Sequence, residues 1–355
     1  MGYKIVHSIC DIKYNGVEKV VFSICKNLDK NKFDVIVLTG KNVDSRLEKE
    51  FKDNNIKIVK LNNDKHLNPI GYYKDFLKYI NKDIDIIHIH SNSSTVVIEL
   101  LLSLFKGIKK RIVHCHSNSS NNKFIHYLLK PFVNLFMTYG LACSNDVKKW
   151  QFYNKSQVLF NGINTKDFIF NNNNRKKIRQ KYDINENEYL YGMIARFSDT
   201  KNHEFIINLL RENNDKSIKI LFVGDGPLEE KIKDLVKKYK LDNQIIFAGV
   251  TNNVNEYYSA FDGFILPSKF EGLGIVLIEA QYNGLPCIVS EAIHDDAIIS
   301  NLVKKINLDD YKSWIEMLEL KEKNTDRNVM LKSKYDIKDN VLELEKVYDK
   351  IIKEK

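Results

Sequence analysis

Short hydrophobic runs alternate with amphipathic segments along the first half of the chain. The runs are rich in Ile, Val and Leu, and they predict buried β-strands at positions 5–10, 33–38, 56–61, 84–90, 111–116 and 141–143. Between them, apolar positions recur at helical spacing, most clearly over 17–28 and 44–51. Continuous apolar strands separated by helices are typical of a parallel sheet that is covered on both faces. The first half therefore predicts an α/β domain.

The second half repeats this organisation. Apolar runs predict strands at 189–195, 218–223, 245–248, 263–266 and 286–290, and helical spacing predicts helices at 204–212, 228–239 and 254–261. The polar stretch 164–179 contains four consecutive asparagines at 171–174 and shows no periodicity, so we interpret it as a linker or exposed turn. A last helix is predicted from residue 337 to the end. The pattern predicts two Rossmann-like domains.

Length and composition agree with two domains. The chain has 355 residues, more than one core normally organises, and 43% of them are hydrophobic. Its five cysteines are odd in number and widely spaced, which favours buried thiols in a reducing compartment. The chain starts close to a predicted strand without a signal-peptide pattern, and no apolar run reaches the ~18 residues of a membrane span. We therefore expect a cytoplasmic protein.

Two glutamates carry the most informative spacing in the sequence. Glu271 and Glu279 lie on either side of a glycine-containing turn and an apolar run, after a predicted strand that ends in a Pro-Ser turn. This order places Glu271 in a loop and Glu279 inside the following helix, roughly two turns further along the chain. In open α/β sheets ligands bind beyond the carboxyl ends of the strands, where helix N-termini attract anions. One nucleotide-linked molecule could contact both glutamates.

This arrangement resembles the E-x7-E motif of retaining glycosyltransferases of family 4, which have the GT-B fold. The resemblance implies two Rossmann-like domains that face each other across a cleft, with a C-terminal helix that crosses back to the first domain. We expect an N-terminal acceptor-side domain at 1–165, a nucleotide-sugar domain at 166–336 and the helix at 337–355. The resemblance also implies transfer of a sugar from a nucleotide donor, most simply a UDP-sugar.

Four residues are predicted to take part in catalysis. Arg196 and Lys201 follow the first strand of the second half, and a guanidinium with an ammonium at a strand end suits a pyrophosphate. In the family, the equivalent residues stabilise the leaving diphosphate, although the usual preceding glycine is Ala195 here. The resemblance implies that Glu271 holds sugar hydroxyls. It also matches His116 to a histidine that reaches the transferred sugar, with His88, His90 and His114 as alternatives.

The donor-binding residues are predicted from further motif matches. Gly16 follows Asn15 where the family has G-G-x-E, and a glycine there lets backbone approach phosphate. Gly224 lies in Gly-Asp-Gly-Pro, which fits the family's nucleotide-side loop but fails as a dinucleotide fingerprint. The resemblance places Val250 beside the nucleobase and Glu279 on the ribose hydroxyls. Backbone N–H groups of the loop after Glu271 would hold the sugar, namely those of Gly272, Leu273, Gly274 and Ile275.

No metal site or cofactor is expected. Asp83 and Asp85 form a D-x-D, the cation signature of a different glycosyltransferase fold, but they open a strand rather than end one. Arg196, Lys201 and helix N-termini can supply the positive charge that a metal would otherwise bring.

The formal net charge of +9 is unevenly distributed. No acidic residue occurs from 100 to 145, where six basic residues are present: Lys106, Lys109, Lys110, Arg111, Lys123 and Lys130. Within this region the segment 122–137 combines lysines with aromatic residues, which suits the surface of an anionic membrane at the inner face of the cell. A helix that packs in the core and has a basic outer face is the alternative. Nucleic-acid binding is not expected, because no recognised module accompanies the charge.

Together these patterns predict a retaining, metal-independent glycosyltransferase. Its acceptor would be a glycan or a polyprenyl-linked sugar in bacterial capsule, exopolysaccharide or lipopolysaccharide synthesis. Two alternatives stay open at this point. A nucleotide-sugar epimerase of the same fold would need no acceptor, and a non-catalytic basic protein that binds membrane or nucleic acid would need no donor.

Overall fold

The computed structural model describes residues 2–12, 16–117, 122–271, 273–324, 326–327 and 334–354. The chain forms two compact units. Unit 1 comprises residues 1–164 and 334–355, and unit 2 comprises residues 165–333.

Unit 1 contains a parallel sheet, which has seven strands within the described ranges. The strands are β1 (Tyr3–Ile9), β2 (Phe33–Thr39), β3 (Lys57–Lys60), β4 (Ile86–Ser91), β5 (Lys110–Cys115), β6 (Tyr139–Ala142) and β7 (Ser156–Val158). Their order is β3-β2-β1-β4-β5-β6-β7. The order turns back beside β1, as in doubly wound α/β proteins, so the carboxyl ends of β1, β4 and β5 lie next to one another. The predicted α/β architecture is confirmed.

Helices cover this sheet and most begin at a capping side chain. They are α1 (Gly16–Asn27), α2 (Ser45–Asp53), α3 (Pro69–Tyr79), α4 (Val97–Phe105), α5 (Lys123–Phe136) and α6 (Asn145–Gln151). Asp44, Asn68, Asn122 and Ser144 each accept a hydrogen bond from a backbone N–H in the first turn, which satisfies a donor that has no partner within the helix. The C-terminal helix α13 (Ile337–Lys353) packs in unit 1, as predicted. It buries Leu344 and Tyr348, and the Tyr348 ring meets Phe33 edge-on at 5.5 Å.

Unit 2 contains a second parallel sheet. Its strands are β8 (Tyr189–Ile194), β9 (Ile218–Val223), β10 (Ile245–Gly249), β11 (Gly263–Leu266), β12 (Cys287–Ser290) and β13 (Val303–Ile306), in the order β10-β9-β8-β11-β12-β13. Its helices are α7 (Asn172–Lys181), α8 (His203–Glu212), α9 (Glu229–Lys238), α10 (Val254–Ala260), α11 (Ile275–Tyr282) and α12 (Tyr311–Leu320). The strand order reverses beside β8, so ligands are expected beyond the ends of β8, β9 and β11.

The predicted linker over 164–179 is wrong, because a 3₁₀ turn (Thr165–Phe168) and the first eight residues of helix α7 lie within it. Asn171 caps this helix by accepting hydrogen bonds from the backbone N–H groups of Asn173 and Asn174. Arg175 and Arg179 then form ion pairs with the buried carboxylate of Asp262, at 2.7 and 3.0 Å. These long-range ion pairs therefore stabilise a helix whose polar sequence shows no apolar periodicity.

None of the helices in the described part of the chain is both long and apolar enough to span a bilayer. Four of the five cysteines, Cys25, Cys115, Cys143 and Cys287, are buried free thiols, and Cys10 is partly buried. Burial raises the pKa of the Cys25 thiol to about 12, so this group is a packing residue rather than a nucleophile.

Candidate active site

The candidate site of unit 2 is built on loops at the carboxyl ends of its strands. Backbone hydrogen bonds join these loops to one another. Phe197 N, after β8, donates to Asp225 O, after β9, at 2.8 Å, and Leu228 N returns a bond to Phe197 O at 3.2 Å. Gly224 N donates to Gly249 O, at the end of β10, at 2.9 Å. The loops after β8, β9 and β10 therefore form one tied surface.

Gly224 makes this close approach possible. Its φ is +139°, and a Cβ on it would lie 2.2 Å from Ala195 O. Gly226 is similar, with a φ of +155° and 2.5 Å from an added Cβ to Phe197 O. Real side chains do not tolerate such distances, so the Gly-Asp-Gly sequence is needed for the loop after β9 to bind the loop after β8. The predicted residue Gly224 thus has a structural role in addition to any contact with ligand.

Arg196 and Lys201 both lie in the loop after β8 but differ in their surroundings. Arg196 is exposed, and its guanidinium forms no hydrogen bond or ion pair with any residue that the structure describes. Lys201 ends a short 3₁₀ turn, Asp199–Lys201, and its ammonium pairs with the carboxylate of Glu271. The loop therefore carries Arg196, which has no counter-charge among the described residues, and Lys201, whose charge is neutralised by Glu271.

Glu271 is the point where the loops after β8 and β11 meet. Its side chain is 7% exposed, and Oε1 accepts hydrogen bonds from Lys201 Nζ and from Ser268 Oγ, the latter at 2.9 Å. Lys269 N also donates to Thr200 O at 2.8 Å, which joins the same two loops through backbone. The structure thus brings together the predicted residues Lys201 and Glu271. The sequence analysis did not select Ser268, although it ends the Pro-Ser turn three residues before Glu271.

The turn into α11 follows Glu271. Leu273 is buried, and Gly274 has a φ of +74° at the N-cap position, so the helix begins at Ile275 as the sequence predicts. Gly272, another predicted donor-binding residue, lies outside the described residues. The first backbone N–H groups of α11 are oriented along the helix axis beyond its N-terminus, which is the usual geometry for holding an oxygen-rich ligand.

Glu279 lies in α11 and its carboxylate is oriented by a buried tyrosine. Tyr258 Oη, from α10, donates to Glu279 Oε2 at 2.6 Å. Burial, followed by the negative charge of Glu279, raises the pKa of Tyr258 well above its ordinary value, so the phenol stays protonated and keeps donating. No sequence feature marks Tyr258, because its position in α10 reads as an ordinary core residue. The structure identifies it as the group that orients Glu279.

Val250 follows Gly249 directly at the end of β10. Its side chain is 44% exposed, unlike the valines of the core. Gly249 has a φ of +69°, which turns the chain sharply at this point. Val250 is therefore an exposed apolar side chain at the carboxyl end of the sheet.

The two predicted residues of unit 1 lie at the carboxyl end of its sheet. Gly16 is the first residue of α1, and the preceding Asn15 lies outside the described residues. His116 follows β5 and is buried. Its Nδ1 is 3.0 Å from Asn161 Oδ1, and its Nε2 is 2.9 Å from His90 Nδ1. Burial lowers the pKa of His116 to about 4, so the ring is neutral at physiological pH.

Groups of side chains that could ligate a metal occur in unit 1 of the described structure. They are His7 with His88 and His90, His90 with His114 and His116, and Cys10 with Asp11 and His66. None contains Arg196, Lys201, Glu271 or Glu279. The predicted D-x-D residue Asp85 lies at the opposite end of the unit 1 sheet, where it accepts a hydrogen bond from Lys4 N at 2.8 Å.

A cavity of about 300 Å³ in unit 2 lies behind the loop after β8. Its lining includes Ser198, Asn202, His203, Leu228 and Tyr311. It includes none of the predicted site residues, so the candidate site is the open loop surface rather than this enclosed space.

Comparison with known proteins agrees with the arrangement of both units. Residues 14–167 match the model of Glycosyltransferase Family 4, and residues 174–333 match the model of Glycosyl transferases group 1. The EpsF protein of Bacillus subtilis (strain 168) is 27% identical over 334 residues, covering 89% of this chain and 86% of that protein. The capsular polysaccharide biosynthesis glycosyltransferase CapH of Staphylococcus aureus is 26% identical, covering 97% of this chain and 98% of that one.

Solved structures show the same fold. Crystal structures of Alr3699/HepE from Anabaena, determined with UDP and with UDP-glucose, superpose with TM-scores of 0.82 and 0.81 at 15% identity. The UDP complex covers 99% of this chain and 100% of that one. The fold is GT-B, and the chain belongs to the family 4 glycosyltransferases. The epimerase and the non-catalytic binding protein find no support in these matches.

The close approach at Gly224 generates a stability prediction. We expect Gly224→Ala to destabilise unit 2 by about 2–4 kcal/mol, since it adds a steric clash to an unfavourable backbone conformation. Gly249→Ala is the matched control, because Gly249 also has a positive φ but nothing lies within 4 Å of an added Cβ. It should cost only about 1–2 kcal/mol. Urea unfolding measures both, and equal losses would contradict the role of close approach.

Proposed function

We propose that this family 4 glycosyltransferase transfers a sugar from a UDP-sugar to a glycan or polyprenyl-linked acceptor in bacterial surface polysaccharide synthesis, with retention of configuration and without a metal. The single observation that carries the proposal is the Lys201–Glu271 pair beside the uncompensated Arg196. These groups come from loops after two adjacent strands, at the edge of the sheet where anionic ligands bind.

UDP is proposed as the nucleotide because HepE was crystallised with UDP and with UDP-glucose. In this chain Glu279 would accept hydrogen bonds from the ribose hydroxyls, and Tyr258 would keep its carboxylate oriented. Val250 would contact the base and Gly224 the phosphates. The setting in surface polysaccharide synthesis follows the name of CapH, and the polyprenyl-linked acceptor follows the name of an Escherichia coli galactosyltransferase that acts on α-D-GlcNAc-diphosphoundecaprenol.

The proposed reaction exchanges one bond at the anomeric carbon for another. The bond from C1 to the diphosphate oxygen breaks, and its electron pair leaves with the diphosphate. The acceptor hydroxyl oxygen bonds to C1 on the same face, and its proton passes to the leaving phosphate oxygen. Negative charge grows on the diphosphate, where Arg196, Lys201 and the N-terminus of α11 can stabilise it. Glu271 would orient Lys201 and bind sugar hydroxyls with the N–H groups of residues 272–275.

His116 and Gly16 are proposed to act from unit 1. Gly16 would allow backbone at the start of α1 to approach ligand, and His116 would contact the transferred sugar. Both ring nitrogens of His116 already have protein partners. His116 would therefore contact the sugar through its ring, while Nδ1 stays bonded to Asn161 and Nε2 to His90.

The proposal is tested with purified protein and a panel of nucleotide sugars. We expect slow hydrolysis of one UDP-sugar, faster release of UDP with an acceptor, and turnover that persists in EDTA. NMR of the product should show the anomeric configuration of the donor. Arg196→Ala should lower turnover by ~10²–10³, the effect of removing one preorganised electrostatic group. Arg211→Ala is the control, because Arg211 lies on α8 and pairs only loosely with Glu212, at 3.6 Å. An inverted product, or full activity of Arg196→Ala, would contradict the assignment.

The ribose contact is tested by binding of free UDP. Glu279→Gln should weaken binding about tenfold or more, because hydrogen bonds to a charged acceptor contribute ~1.5–3 kcal/mol. Tyr258→Phe should cause a smaller loss, since it only frees the carboxylate to rotate. Glu256→Gln, on the same helix as Tyr258 and paired with Lys177 at the surface, should bind as the parent does. Calorimetric titration measures all four proteins, and unchanged binding by Glu279→Gln would remove its ribose role.

We further propose that unit 1 rests on the inner face of the cell membrane, although not through the charges that the sequence suggests. Lys130 is buried, with Nζ donating to Lys149 O at 3.0 Å, and Arg111 is buried with three backbone carbonyls as partners. The outer face of α5 is instead apolar, and α4 beside it is also apolar. The exposed side chains are Ile98, Leu101, Leu104, Phe105, Phe124, Tyr127, Leu128, Phe132 and Leu135.

This apolar face predicts a membrane contact that depends little on salt. Phe124→Ser with Leu135→Ser should weaken binding to phosphatidylcholine–phosphatidylglycerol vesicles more than tenfold, since each side chain gains ~1.5–3 kcal/mol on burial. Lys123→Glu should cost less, about 1 kcal/mol at low salt. Leu342→Ser on α13 is the control, because Leu342 is also exposed, at 56% compared with 76% for Phe124 and 71% for Leu135, but belongs to a different helix. Co-sedimentation measures the binding, and equal binding of all variants would contradict the proposal.

A further inference from the structure

Five histidines of unit 1 form a buried cluster at the carboxyl end of its sheet. They come from three adjacent strands or their ends: His7 on β1, His88 and His90 on β4, and His114 and His116 at the end of β5. Strand register pairs His7 with His88 and His90 with His114. All five are at most 5% exposed. Because residues two apart on a strand share a face, all five rings lie on one side of the sheet.

Three of these rings form a continuous hydrogen-bonded chain that ends at His116 and Asn161. His7 Nδ1 lies 2.9 Å from His90 Nε2, and His90 Nδ1 lies 2.9 Å from His116 Nε2. His116 Nδ1 ends the chain at Asn161 Oδ1. At the other end, Tyr348 Oη from α13 lies 3.3 Å from His7 Nε2 and 2.6 Å from His88 Nδ1.

The proton positions follow from the acceptor at the end of the chain. Asn161 presents a carbonyl oxygen, so His116 Nδ1 must carry the proton. A neutral ring has one N–H, so His116 Nε2 is an acceptor and His90 Nδ1 must donate to it. With its proton on Nδ1, His90 accepts at Nε2, so His7 Nδ1 must donate to it. His7 Nε2 is then the acceptor for the Tyr348 hydroxyl. Every bond of the chain is then satisfied by one proton.

Charge on any of these rings is disfavoured. Burial lowers the pKa of His7 to about 3, with Lys30 adding to the effect, and lowers the pKa of His90 well below its ordinary value. The chain thus consists of neutral imidazoles with one tautomer each. The last ring of the chain, His116, is therefore oriented by a hydrogen bond at each of its two nitrogens.

A shared metal ion does not explain this arrangement as well. His88 and His90 have nearly parallel rings, 15° apart with centroids at 4.4 Å, and His7 and His90 are also 15° apart. Ring-nitrogen lone pairs lie in the ring planes, so parallel stacked rings cannot direct them at one ion. The hydrogen bonds also already use the nitrogens of His7 and His90.

We propose that His90 is a positioning residue for His116, fixing its ring as the neutral Nδ1–H tautomer through the donated hydrogen bond to Nε2. Its consequence for turnover rests on the proposed role of His116 in sugar transfer. With His90 in place, both nitrogens of His116 are occupied, Nδ1 by Asn161 and Nε2 by His90, so the ring is held in one orientation and presents no free N–H to a sugar. Hydrogen bonds from His90 to His7 and from His7 to Tyr348 connect this arrangement to the C-terminal helix α13.

The experiment uses ¹⁵N-histidine-labelled full-length protein. Long-range ¹H–¹⁵N spectra distinguish the two tautomers of each ring, and His116→Gln identifies the signals of His116 by their loss. In the parent we expect neutral His116 with its proton on Nδ1. In His90→Leu we expect a mixture of tautomers and a higher pKa of His116, together with roughly ten- to hundredfold slower turnover from the misplaced ring.

Two further variants separate positioning from a general loss of packing. His90→Asn should restore the parent tautomer and most of the turnover, because the amide Nδ2 takes the place of imidazole Nδ1. His114→Leu is the matched control: His114 has the same burial and its ring lies 4.1 Å from that of His116, but it is outside the chain. It should leave the His116 tautomer unchanged.

An unchanged tautomer and pKa of His116 in His90→Leu would overturn the inference, whatever the activity. Parent-like turnover of His90→Leu beside a slow His116→Gln would also overturn it. Parent-like turnover of His116→Gln would instead overturn the proposed role of His116 in transfer. The spectra can be read without any activity, so these failures are distinguishable.

Discussion

The hydrogen bond between Phe197 N and Asp225 O is the contact on which the candidate site of unit 2 depends. It requires the loops after β8 and β9 to approach more closely than any side chain on residues 224 and 226 would allow. Since Arg196 precedes Phe197, this backbone contact sets the position of the Arg196 main chain. The loop carrying Lys201 is in turn tied to Glu271 and to Lys269. A rigid backbone surface therefore holds the charges before ligand binds, which lowers the reorganisation needed during reaction.

The ion pair with Glu271 makes Lys201 electrostatically different from Arg196, the other cation of the same loop. A half-buried pair contributes little net stability, because desolvation offsets the Coulomb attraction. Its value here is geometric, since the carboxylate keeps the ammonium at the edge of the sheet. Arg196 has no counter-charge among the described residues, and it therefore contributes more of the field that a leaving diphosphate would meet.

Much of the fold follows from the hydrophobic pattern, because parallel strands buried on both faces read as continuous apolar runs. Helix α7 does not, since its stability comes from the contacts of Arg175 and Arg179 with Asp262, which is more than 80 residues away. The site follows in part from motif spacing: the sequence selects Lys201 and Glu271, and the structure shows them in contact. Ser268 and Tyr258 could not be selected, because their importance arises from what they touch. For the same reason the sequence places Lys130 on the exposed face of α5, whereas in the structure Lys130 is buried and its Nζ donates to Lys149 O of α6.

The histidines illustrate a limit of considering residues one at a time. Taken singly, His88, His90, His114 and His116 are alternatives for one role, yet the two H-x-H sequences place all of them on one face of adjacent strands. Burying five neutral imidazoles costs polar desolvation unless their nitrogens find partners. A chain that passes from Tyr348 to Asn161 supplies partners to His7, His90 and His116, so these three rings depend on one another and not on solvent. The orientation of His116 is thereby linked to a tyrosine 232 residues later in the chain, on the helix that returns to unit 1.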